Sequence, residues 1–159
     1  MPDRKIKLVP ELYRQDLARL TESLKKAPPD LLLIGRRQLR SNNSWMHNSR
    51  RLVKGKNRCT LLMHPEDARK RGLETGMEAI VSSRAGEIRI PVEVSEEVMP
   101  GVASIPHGWG HDREGTQLEV ANAHPGASLN DVTDERMVDA LTGNAVLNGL
   151  PVEVRPGVE

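Results

Sequence analysis

The chain has 159 residues, a formal net charge of +1, and apolar and charged fractions of 37% and 28%. That suits one soluble domain of ordinary size and excludes a protein that is cationic all over, as non-specific nucleic-acid binders usually are. There is no Phe, and Trp45, Trp109 and Tyr13 are the aromatics, so the core must be aliphatic.

Glu11 to Lys26 reads as an amphipathic helix, with Leu12, Leu17, Leu20 and Leu24 near one stripe. Pro28-Pro29 stops it. Leu31 to Ile34 is too short and too uniformly apolar for a helix and is expected to be a buried strand. Gly35 to Asn57 has no sustained period and reads as a long loop with room for one helical turn. Cys59 to Met63 is a second buried strand. Pro65 to Gly72 is a short helix, with proline at its start, acids next, bases in the last turn and glycine at the end.

Ala79 to Ser83 and Glu87 to Val94 are strands around the Ala85-Gly86 turn, the second facing Ile88, Ile90, Val92 and Val94 one way. Val102 to Ile105 is another strand, followed by a glycine-rich loop from His107 to Gly115. Gln117 to Val120 is expected as a short strand and Asn122 to Gly126 as a turn. Thr133 is expected to cap a helix from Asp134 to Leu141, and Pro151 to Val154 to form a last strand. Short strands joined by turns and few helices suggest a mainly β fold, a small barrel with irregular crossings.

Charge is distributed unevenly along this plan. No acid lies between Asp30 and Glu66, an interval holding Arg36, Arg37, Arg40, Arg50, Arg51, Lys54, Lys56 and Arg58. Asp131, Asp134, Glu135 and Asp139 lean the other way. A basic stretch in a neutral protein points to a small anionic ligand or a local acidic surface; the plain alternative is a solvated loop. Gly35 lets the backbone turn sharply at a strand end and holds Arg36 and Arg37 there. Guanidinium forks suit phosphate oxygens, and Asn42, Asn43 and Asn48 add neutral donors and acceptors.

The second stretch of interest is His107-Gly108-Trp109-Gly110-His111. Its glycines make the backbone permissive, and the indole can either cover a flat ligand or pack on the core. Its spacing is not a familiar metal-ligand pattern, and no metal ligand is assigned to the chain. Cys59, the lone cysteine, is expected to be a small buried hydrophobe. No Ser–His–Asp set, Walker loop or metalloprotease motif is visible, and no catalytic residue is assigned.

Several ordered motifs together carry a resemblance: Leu33-Ile34-Gly35-Arg36-Arg37, Asn42 to Asn48, the run HPEDARKRGLETGMEAIVSSRAGEIRIPVEV, then MPGVASIPHGWGHDREG and LNDVTDERMVDALTGNAVLNGLPVEV. Over Leu31 to Val154 the chain resembles the C-terminal dinucleotide-binding domain of the molybdopterin oxidoreductases. This is the dimethyl sulfoxide reductase superfamily, with its formate dehydrogenases and nitrate reductases. The resemblance implies a double-psi β-barrel of the aspartate-decarboxylase-like type, with the N-terminal helix appended. It implies a helical linker over residues 1–30, the barrel over 31–155 and a tail over 156–159.

It also implies a cofactor, part of a bis(molybdopterin guanine dinucleotide) with Mo or W in the full enzyme; the isolated domain is expected to hold none. Gly35, Arg36 and Arg37 would approach phosphates or pterin, although Ile34 replaces the family's usual hydroxyl residue. Asn43, Trp45, His47 and Asn48 fall in the loop that covers the pterin. Gly108, Trp109, His111 and Asn130 fall where the family makes further pterin contacts.

The implied partners are the catalytic and iron–sulfur domains of a parent oxidoreductase, since a lone Cys59 cannot hold a four-cysteine cluster. Activity from this chain alone is not expected. The lone cysteine and the lack of a signal-peptide core or a spanning run of roughly 20 apolar residues make the cytoplasm the expected location. Two other roles for the same barrel are a recognition module for peptide or nucleic acid, acting through its basic loop, and a self-sufficient decarboxylase. The self-cleaving Gly-Ser bond of the decarboxylase is missing here.

Overall fold

The computed structural model describes Ile6 and residues 8–157. Its centre is a curled, mixed sheet of seven strands: β1 Leu32–Arg36, β2 Leu61–Met63, β3 Glu78–Ser82, β4 Glu87–Val94, β5 Val102–Pro106, β6 Leu150–Pro151 and β7 Glu153–Pro156. They lie in the order β6-β1-β5-β2-β4-β3-β7. The two end strands are one run of chain broken only at Val152, so the sheet curls back towards itself. Leu33, Leu61, Met63, Ala79, Val81, Ile90, Val92, Ala103 and Ile105 fill its interior, and Cys59 is buried among them. The core is aliphatic, as the composition requires.

One register decides the geometry of the site. β1 and β5 run parallel, pairing Gly35 with Ile105 and Arg36 with Pro106. Parallel strands in register leave the sheet at the same edge, so the segments after Arg36 and after Pro106 start side by side. His107 N–H donates to the Arg36 carbonyl at 3.0 Å, which continues the ladder into the loops.

β4 has the expected bounds, with Ile88, Ile90 and Val92 facing in. The long basic segment contains one helical turn, α2 Arg50–Val53. The short helix α3, Pro65–Lys70, follows the proline–acid–base order of its sequence, and its buried Asp67 accepts from Gly101 N–H at 2.6 Å.

Three expectations are corrected. Gln117 to Val120 is not a strand: α4 covers Glu119–Ala123, because the Asn48 side chain caps its free amides from elsewhere in the chain. Asp134 to Leu141 is not a helix capped by Thr133. There Val138 bridges Ala145, and Asp139 N–H and Val146 N–H donate to Asn144 and Met137. The Asp139 carboxylate accepts from Leu141 N–H, Thr142 N–H and the Thr142 hydroxyl, and that turn chemistry overrides helix pattern. The final strand is likewise split at Val152.

The N-terminal helix α1, Glu11–Leu24, forms as its periodicity suggests. Surface ion pairs Arg14–Glu11, Arg19–Asp16 and Lys25–Glu22 support it, yet none of its residues is buried. Its leucine stripe is exposed.

Candidate functional site

Two loops form lips at the edge where β1 and β5 end. The first starts with Gly35, whose backbone lies against the His107 imidazole so closely that a Cβ would overlap the ring. Gly35 N–H donates to Asn148 Oδ1 at 2.8 Å, which ties this strand end to the C-terminal segment. Asn42 and Asn43 then take consecutive positive φ values of 42° and 63°, a conformation asparagine tolerates better than most residues. This bend presents the Asn43 carbonyl to the second lip. Gly108, at φ +83°, receives it; a Cβ there would overlap the Asn43 carbonyl and lie 2.6 Å from Ser44 N.

His47 locks the lips together. It is only 2% exposed, its ring centroid is 4.2 Å from that of Trp109 and 4.6 Å from that of His111, and its Nδ1 meets His111 Nε2. Burial, and next the neighbouring His111, push the His47 pKa down to about 4, so the ring is neutral at physiological pH. Gly110 N–H and His111 N–H donate to the Pro125 carbonyl at 2.7 and 3.3 Å, holding the second lip from below. Trp109 is half-buried and packs on the core, the plainer of the two roles open to it.

The expected site residues divide into three groups. Gly35, Asn43, His47, Gly108, Trp109 and His111 are brought together. Arg37 and Trp45 are exposed on the first lip, Trp45 at 84%. Burial, and next the Arg37 charge, lower the His107 pKa.

The remaining three are engaged elsewhere. The Arg36 guanidinium turns into the sheet, where its Nη atoms donate to the carbonyls of Ser104 and Thr60 and to Thr60 Oγ1. That hydroxyl in turn donates to Glu93 at 2.7 Å. Asn48 Oδ1 caps α4, accepting from Val120 N–H at 2.9 Å. Asn130 lies in a turn of 3-10 helix, Leu129–Val132, packed against β4, where its carbonyl accepts from Thr133. Asn148 and Pro125 were missed, because their contacts cross long stretches of sequence and each sits in an ordinary turn dipeptide.

Three buried side-chain atoms have no hydrogen-bond partner among the described residues: Nε2 of His47, Nε1 of Trp109 and Nε of Arg36. Such groups are costly and call for a partner. Two of the three belong to the lips. Beside the first lip a cavity of about 430 Å³ is lined by Arg36, Arg37, Gln38, Arg58 and Thr60, with Glu93 and Glu97 on its wall. The first lip exposes the Trp45 indole and carries Arg37, and the cavity beside it adds neutral donors and acceptors from Gln38, Asn57 and Thr60. That set fits a flat, hydrogen-bonding heterocycle bearing negative charge.

Among curated proteins, the chain is 27% identical over 109 residues to a tetrathionate reductase subunit of Salmonella typhimurium. It is 29% identical over 93 residues to the putative dimethyl sulfoxide reductase chain YnfE of Escherichia coli, and 27% over 93 residues to dimethyl sulfoxide reductase DmsA of that organism. In each case 58% of this chain matches 11% of the relative's length. The fold is similar to that of acetylene hydratase from Pelobacter acetylenicus, with a TM-score of 0.64 at 23% identity, covering 95% of this chain and 20% of that one. The model of the family described as "Molydopterin dinucleotide binding domain" matches residues 31–151, the whole span from β1 into β6. With its paired lips at the shared end of β1 and β5, the chain belongs to the molybdopterin dinucleotide-binding domain family of the molybdopterin oxidoreductases.

Proposed function

We propose that the chain holds part of a bis(molybdopterin guanine dinucleotide) cofactor within a larger oxidoreductase, with its two lips as the contact surface. The observation that carries this is the convergence of Asn43, His47, Gly108, Trp109 and His111 beside buried polar atoms that lack partners. When bound, the metal–pterin group, with Mo or W, supplies the redox chemistry. The chain's own residues do three things. Arg37 offers charge to a phosphate or a pterin oxygen. Beside the buried His47 ring and the half-buried Trp109 ring, Asn43 and His111 are part-exposed and would meet a heterocycle's hydrogen-bonding edge. Gly35 and Gly108 keep the lips close enough to act as one surface.

Arg36 and Asn48 act in this scheme as positioning residues, one bracing the β1 end and the other joining the first lip to α4. Two parallel pairs, β1–β5 and β2–β4, support a double-psi connectivity. The proposed division is a linker up to residue 30 and a barrel from residue 31, expected to end at 155 but carried by β7 to Pro156; residues 1–5 and 7 of the linker and 158–159 of the tail lie outside the described residues. Catalytic and iron–sulfur domains would come from the remainder of a parent protein, since the curated relatives are about nine times longer than the matched part. No described helix is long and apolar enough to cross a membrane. A buried cysteine suits the reducing cytoplasm as the proposed location. A single-stranded nucleic acid would want successive stacking aromatics, whereas the basic lip exposes Trp45 alone.

Titration of guanosine monophosphate into isotopically labelled protein tests the scheme. Amide shifts gathered at Gly35–Asn48 and Gly108–His111 are the expected result. Unmoved amides at both lips, at millimolar nucleotide, would remove the support for this surface.

A further inference from the structure

Neither lip involves α1. This helix buries none of its residues, and Asp16 alone along it is sheltered rather than exposed. Asp16 and Arg19 lie within electrostatic range of Asp139, which sets the side of the helix nearest the barrel. Another side carries Tyr13, Leu17, Leu20 and Leu24, which are 51%, 55%, 47% and 77% exposed. Their spacing of four, three and four residues is the a/d spacing of a coiled coil, a seam narrower than the stripe by which a helix packs on its own core. Soluble monomers rarely leave such a row open.

We propose that α1 pairs antiparallel with α1 of a second copy of this chain, joining two chains as a dimer. In that register Leu17 meets Leu20 of the second copy and Tyr13 meets Leu24, so every seam residue finds an apolar partner. Tyr13 falls in the outer layers, where its hydroxyl keeps contact with water.

Charge selects the direction. Glu11 stands at the start of the helix, and Lys25 and Lys26 follow its end. An antiparallel pair lays each acidic end beside a basic end and opposes the two helix dipoles, whereas a parallel pair sets like beside like. The residues flanking the seam agree with this, because Arg14 falls beside Thr21 and Asp16 beside Ser23, with no like charges opposed. Eight seam side chains at roughly 100 Å² each bury about 800 Å² of apolar surface, and their flanks bring the contact near the ~1,200 Å² at which specific interfaces begin. A contact of that size on helices of 14 residues gives a dimer that depends on concentration. The inference rests on α1 and stands apart from the cofactor reading.

Analytical ultracentrifugation of the full chain over a range of concentrations is the test. The mass should rise from the 17.6 kDa of one chain towards twice that value. A dissociation constant on the order of 100 µM is expected for so small a contact. Leu17→Glu, on a helix that contributes nothing to the core, should keep the barrel's spectrum and weaken association by about tenfold or more, since it sets a charge against Leu20. Direction is read by mixing Tyr13→Cys chains with Leu24→Cys chains under a mild oxidant. The mixed disulfide is expected, with the buried Cys59 taking no part. Cross-links of each variant only with itself would overturn the antiparallel pairing. A mass of one chain at every concentration up to millimolar, or Leu17→Glu associating as the wild type does, would overturn the dimer. Association kept in Leu17→Glu but lost in Trp45→Ser would move the contact to the exposed first lip and overturn it equally.

Discussion

Gly108→Ala tests the contact on which the site depends. Two costs arise in the structure. Alanine at φ +83° bears the penalty of a left-handed backbone, about 1–2 kcal/mol. Its Cβ would also overlap the Asn43 carbonyl and crowd Ser44 N, both backbone groups that cannot rotate aside. Forcing such a contact apart costs about 1–3 kcal/mol, in line with overpacking elsewhere.

Gly115 separates the two costs. It lies in the same loop at φ +82°, and an added Cβ there meets nothing within 4 Å. Gly115→Ala should therefore show the backbone cost alone. Urea unfolding of both variants, followed by tryptophan fluorescence, gives the comparison. With a slope of about 2 kcal/mol/M, Gly108→Ala should unfold about 0.5–1.5 M earlier than Gly115→Ala. Coincident midpoints would mean that the lips do not press together at Asn43.

Two other outcomes follow from the same geometry. The His47 imidazole should titrate at about 4, below its ordinary 6.5, when followed by NMR. Because the folded pKa is depressed, the unfolded chain binds more protons between those values. Stability from this group is thus full above pH 6.5 and declines as pH falls towards 4. A midpoint of 6 or higher would refute the buried, His111-facing placement. Asn148→Ala removes the acceptor of the Gly35 N–H and should cost about 1 kcal/mol, with faster hydrogen exchange at that amide. Unchanged exchange at Gly35 would show that Asn148 does not hold the β1 end.

Features with local causes were legible in the order of the residues. Alternation of Ile88, Ile90 and Val92 dictates an eight-residue strand with one buried face. Proline, acids, bases and glycine in order dictate α3. The missing Phe dictates an aliphatic core, and the motifs around Gly35 and His107–His111 carried the family. Local pattern misleads where a distant group intervenes: Asn48 turned an expected strand into α4, and Asp139 with Thr142 replaced an expected helix by a turn.

The meeting of the lips, by contrast, is a product of long-range pairing. Segments 64 positions apart touch because β1 and β5 are parallel and in register, an arrangement that no periodicity within either strand encodes. The same pairing turns Arg36, an attractive cation on paper, towards the carbonyls of Ser104 and Thr60, which occupy its Nη atoms. A side chain's type sets what it can bind. Which groups reach it first depends on the strand beside it, and that neighbour is chosen by the burial of the whole sheet.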